Sequence, residues 1–181
     1  MTFRFTKILV LIAALSFTVS TSSLHAQARP SPATQVLSVD VVPLLTGSTL
    51  SLQYEFKSDP TSSWLIRANF WPSPAPEWNG FGIGAAYRFY IADSRALTGL
   101  SAAPAVDLLF FSQSSENETV QSHFGTQIGV AIGGDLAYKW IFSQFAVEPV
   151  LGLRVGLGAS QVPGGFQTIY ALIGCSLGYA W

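Results

Sequence analysis

The stretch Leu50-Ser51-Leu52-Gln53-Tyr54-Glu55-Phe56-Lys57 sets Leu, Leu, Tyr and Phe at even positions against Ser, Gln, Glu and Lys at odd ones. Successive side chains of an extended chain point to opposite faces, so this segment predicts a strand with one apolar and one polar face. Working outward, the alternation recurs. Leu37, Val39 and Val41 oppose Ser38 and Asp40; Trp64, Ile66, Ala68 and Phe70 oppose Arg67 and Asn69; Phe81, Ile83, Ala85, Tyr87 and Phe89 oppose Gly82, Gly84, Ala86 and Arg88. Further on, Val106, Leu108 and Phe110 oppose Ser101 and Asp107, and Phe124, Thr126, Ile128, Val130 and Ile132 oppose Gly125, Gln127 and Gly129. Phe145, Val147, Leu151, Leu153, Val155 and Leu157 stand against Ala146, Glu148, Gly152 and Arg154. The last run sets Ile169, Ala171, Ile173, Leu177, Tyr179 and Trp181 against Gly174, Ser176 and Gly178. Eight strands result, and no segment beyond the amino terminus repeats its apolar residues at helical spacing.

The bulky face is the apolar one, while the opposite face is Gly, Ala, Ser and scattered charges. A water-soluble barrel or sandwich points its bulk inward and needs a charged coat. This chain of 181 residues is 49% hydrophobic but only 10% charged, against about 25% in ordinary soluble domains. Disorder and nucleic-acid binding are excluded on the same count. A closed, all-β, eight-stranded antiparallel up-and-down transmembrane barrel, with lipid outside and a small polar lumen inside, accounts for both faces and satisfies every backbone amide. A secreted soluble barrel is the alternative at the level of class.

Arg4 and Lys7 precede an apolar run from Ile8 to Val19, which leads to the small-residue site Ala26-Gln27-Ala28. That is the pattern of a secretory signal peptide, residues 1–28, read by the Sec pathway and cleaved after Ala28 or, alternatively, Ala26. The barrel then occupies 29–181 with 7 basic and 10 acidic residues. With one Cys in the chain and His123 the one mature His, neither a disulfide nor a metal site is expected, and no cofactor. Longer connections (Trp71 to Gly80, Ser112 to Ser122, Ala159 to Gly165) are expected outside, with the short Leu44 to Ser48. The segments Ser58 to Ser63, Ala92 to Gly99 and Lys139 to Gln144 are expected on the inner side.

The signal peptide, the eight amphipathic strands, and Leu177, Tyr179 and Trp181 at alternate positions of the last strand resemble a small bacterial outer-membrane barrel of the OmpA/OmpX type. Tyr54-Glu55, Tyr87-Arg88-Phe89-Tyr90 and Leu136-Ala137-Tyr138-Lys139-Trp140 further resemble a family of short outer-membrane proteins of uncharacterised function. The resemblance implies an outer-membrane location, a lipid environment and a monomer. It also implies contact with the barrel-assembly machinery through Leu177, Tyr179 and Trp181, and it carries no catalytic residues.

Asp40, Glu55, Lys57, Arg67, Arg88, Asp107, Asp135, Glu148 and Arg154 all take lumen parity, five acids and four bases. Buried charges persist when paired, so a salt-bridged plug is expected, with Glu55–Arg67 or Glu55–Arg88 and Glu148–Arg154 as candidate pairs. A proton or ion path, making the barrel a narrow channel or carrier for small solutes, is the alternative. Trp64, Trp71, Trp78, Trp140 and Trp181 are expected in girdles at the membrane interfaces. Trp78, Glu77, Glu116, Glu118 and His123 are candidates for recognition on the outer loops, for an unknown surface ligand. A lipid hydrolase would need His123 beside a nucleophilic Ser, but His123-Phe124-Gly125 puts Gly where a strand face would present it, so no enzyme is expected. Cys175 has lipid-facing parity and reads as a small inert hydrophobe.

Overall fold

The computed structural model describes residues 33–72, 78–91, 95–113, 126–158 and 169–181. Eight antiparallel strands close into a barrel in chain order. They are β1 (Gln35–Asp40), β2 (Leu50–Asp59), β3 (Ser62–Trp71), β4 (Trp78–Tyr90), β5 (Gly99–Gln113), β6 (Gln127–Phe142), β7 (Phe145–Gly158) and β8 (Ile169–Ala180). β1 closes the ring against β8. A five-residue helix, α1 (Val41–Leu45), follows β1, so Val41 begins a helix rather than continuing the strand. Asp40 caps it by accepting from the Val42 N–H at 3.2 Å.

Gln35 and Trp181 meet at what we call the lower end, where the Trp181 N–H donates to the Gln35 carbonyl at 3.0 Å; α1 lies at the upper end. The lower connections are tight. Between β2 and β3, Asp59 accepts from the Ser62 hydroxyl and from the Thr61 N–H at 3.0 Å. These bonds pull its exposed carboxyl down to about 2. Leu97, in the connection after β4, adopts φ +73°. At that left-handed turn, costly for a bulky side chain, Leu97 enters the lower bore and packs with Val36, Ala146 and Ala180.

Every outward strand position is uncharged, and the outward side chains are large and apolar around the whole circumference, from Leu37 on β1 to Ile173 on β8. Aromatic rings gather at the lower end: Trp64 lies 4.9 Å from Tyr87 and Tyr87 4.8 Å from Phe89, between ring centroids. Tyr138 lies 4.5 Å from Trp140, and Tyr179 packs on Trp181. Trp71 departs from the girdle expectation. β3 runs through it with lumen parity, so its ring turns inward against Phe111 and Leu109 in the upper bore. Trp78 opens β4 opposite Gln113, while Glu77, Glu116, Glu118 and His123 lie outside the described residues.

β1 is the shortest strand. Its pairing with β8 stops at Asp40 opposite Ser176. Above that point Ile169 to Cys175 pair with β7 on one side, and among the described residues no strand pairs with them on the other; α1 packs there instead. Ile169 and Ile173, 75% and 70% exposed, are among the barest apolar side chains of the barrel.

Candidate functional site

The described inward side chains stand in layers fixed by the strand register. Above Leu97 lies a charged layer made by Glu55 (β2), Arg88 (β4), Lys139 (β6) and Glu148 (β7), all at most 4% exposed. Arg88 spans the bore. It donates to Glu148 Oε1 at 2.5 Å and Oε2 at 2.7 Å, and to Glu55 Oε2 at 2.9 Å. Lys139 Nζ contacts both carboxylates, at 2.7 Å from Glu148 Oε2. The remaining Glu55 oxygen accepts from the Tyr90 hydroxyl at 2.6 Å and the Ser63 hydroxyl at 2.5 Å.

Leu65, Ala86, Ala103 and Ala105 pack above this layer on the β3–β5 wall. The second charged layer follows: Arg67 (β3), Asp107 (β5), Asp135 (β6) and Arg154 (β7). Arg154 Nε donates to Asp107 Oδ2 at 2.9 Å and its Nη2 to Asp135 Oδ2 at 3.0 Å. Arg67 reaches across to Asp135 Oδ2 at 2.9 Å and lies 3.4 Å from Asp107. Each layer holds two cations and two carboxylates, so each is neutral. Charges taken out of water persist when matched in this way and hydrogen-bonded.

Glycines create the space. Gly84 pairs with both Arg67 and Asp107, so these two charges meet over a residue without a side chain. A Cβ at 84 would stand 1.9 Å from Asp107 Oδ1, and one at 152 would stand 2.5 Å from Asp135 Oδ1. Gly84→Ala must therefore displace an aspartate fixed by two arginines. We expect a loss of about 1–3 kcal/mol, read as a lower urea midpoint of the refolded barrel, with Gly134→Ala, which has room, as the near-neutral comparison.

Eight of the nine sequence-read lumen charges are buried on the inner wall, and the structure corrects the ninth. Lys57 has the expected parity but sits at the lower rim, exposed and with no ion pair among the described residues. Its place is taken by Lys139, expected in a turn, because β6 continues to Phe142 and Lys139 shares the inward parity of Asp135 and Ala137. Of the candidate pairs, Glu55–Arg88 forms. Glu55–Arg67 and Glu148–Arg154 do not: Arg67 lies four residues up β3 from Ser63, whose hydroxyl donates to Glu55, and Arg154 six residues up β7 from Glu148. At about 3.4 Å per residue these spacings put the partners in different layers. Asp40 belongs to neither layer; its Oδ1 accepts from the Cys175 N–H at 3.0 Å as well as from Val42.

Among the described residues no group of three or more His, Cys, Asp or Glu is placed to hold a metal. No protein-family model matches the chain, and no curated protein matches it. Among solved structures the chain is similar to the N-terminal β-barrel domain of Pseudomonas aeruginosa OprF. The two are 14% identical, with a TM-score of 0.48, over 81% of this chain and 95% of that one.

Proposed function

We propose that the chain is an integral outer-membrane barrel, exported with residues 1–28 removed, whose bore is plugged and whose role is structural or one of surface interaction through the upper loops. The observation that carries this reading is the outward wall. It bears no charge at any strand position and exposes Leu, Ile, Val and Phe all round, with an aromatic belt at the lower end. Water would leave that surface prone to association, whereas hydrocarbon bounded by headgroups matches it. The tight lower turns then face the periplasm, and Trp78 with the loops bearing Glu77, Glu116, Glu118 and His123 face outward. Leu177, Tyr179 and Trp181, which lie in the belt along the closing strand, are where the assembly machinery would engage.

The two neutral layers and the apolar plugs at each end support a closed bore over a channel. The test begins with membranes washed in sodium carbonate and the protein run in SDS with and without boiling. We expect retention in the membrane and a boiling-dependent mobility shift; release into the soluble fraction with one mobility would sink the membrane reading. In planar bilayers the wild-type protein should insert without steady conductance, and reproducible unit currents would replace the plug with a pore. Lipid mass spectra from cells carrying wild-type or His123→Ala protein should be identical if the role is not catalytic.

A further inference from the structure

We propose that Asp40 and Ser176 form a binding site for a small monovalent cation such as Na⁺ on the lumen wall. The charge count points there first. The two layers balance two against two, so Asp40 is the carboxylate left over, and among the described residues no cationic side chain comes within ion-pair distance of it. It is nonetheless buried, at 8% exposure. An unmatched buried charge is costly, and a single positive charge restores neutrality to the bore.

The register places a second oxygen beside it. Ser176 is the cross-strand partner of both Asp40 on β1 and Glu148 on β7, so the three side chains stand in one inward row, about 4.8 Å between strands. Ser176 is 2% exposed, and its hydroxyl has no hydrogen-bond partner among the described residues. Buried hydroxyls are ordinarily satisfied, and this one lies between two carboxyl groups without bonding either. Both protein donors to Asp40, the N–H groups of Val42 and Cys175, go to Oδ1. Oδ2 lies over Gly174, where a Cβ would come within 2.2 Å of it, so the missing side chain keeps that oxygen clear.

Asp40 Oδ2 and Ser176 Oγ are hard oxygen donors, the type that binds hard, closed-shell cations. Glu148 borders the site but is already held by Arg88 and Lys139. The charge available is therefore the single one of Asp40, which suits a monovalent ion and not a divalent one.

The test follows the thermal midpoint of the refolded barrel in detergent, in NaCl and in N-methyl-D-glucamine chloride at equal ionic strength. For the wild type, saturating Na⁺ should raise the midpoint by about 4 °C or more. Asp40→Asn should abolish the difference. Asp40 also caps α1, so Ser176→Ala decides if that variant does not fold: it should lose at least half of the Na⁺-dependent shift. Equal wild-type midpoints in the two salts would overturn the site. So would a Ser176→Ala protein that keeps the full Na⁺-dependent shift, its midpoint raised over the wild type's by the same amount in both salts, the outcome for a merely orphaned hydroxyl.

Discussion

Arg88→Met should lower the unfolding free energy of the barrel by about 3–5 kcal/mol, the cost of stranding buried charge. Arg88 lies at 2% exposure and holds both Glu55 and Glu148. Without it, Lys139 faces two carboxylates in a buried layer with a net negative charge. The companion Arg88→Met/Glu148→Gln leaves Lys139 with Glu55, one against one, and should cost less than Arg88→Met alone. Urea unfolding of the four proteins of this cycle gives the coupling directly. Costs that simply add would mean that the layer is a set of independent contacts and not a plug.

Leu153→Arg separates a lipid-facing wall from a wet one. Leu153 is 62% exposed and lies midway along β7. In a bilayer an arginine there should cost about 2–4 kcal/mol, falling to about 0–1 for the same change at Phe142 near the lower rim. In water, two arginines on an exposed surface would both be nearly neutral. Equilibrium unfolding from lipid vesicles compares them, and equal, small effects at the two depths would reject the membrane reading.

The period of two carried most of the architecture, because a strand between unlike media must alternate and nothing else after residue 28 competes with that pattern. It also assigned Asp40, Glu55, Arg67, Arg88, Asp107, Asp135, Glu148 and Arg154 to the bore. Strand ends were less legible. Lys139 begins an expected inner connection, although its parity with Asp135 and Ala137 places it inside the bore. Lys57 kept the parity but ran past the rim. The partnerships were hidden more deeply: parity fixes a face, whereas a pair needs the height of each residue on its strand, which depends on the stagger around the closed ring. Arg154 and Glu148 share a strand and a face, yet six residues of rise separate them. One clue was present in the sequence, in the glycines opposite Asp107 and Asp135, since small residues on an inner wall mark where neighbouring side chains must lie flat.

The seam between β1 and β8 bears on how such a ring can come into being. Its pairings join residues 36–40 to residues 176–180, the first and last strands of the barrel. Until β8 exists, β1 and β7 are open edges, each a template for any other extended chain nearby. A molecule whose β8 is not yet in place has to be kept apart from its neighbours until the ring closes. The short ladder that ends at Asp40 makes that event small, since few hydrogen bonds must find their register before the circle is complete.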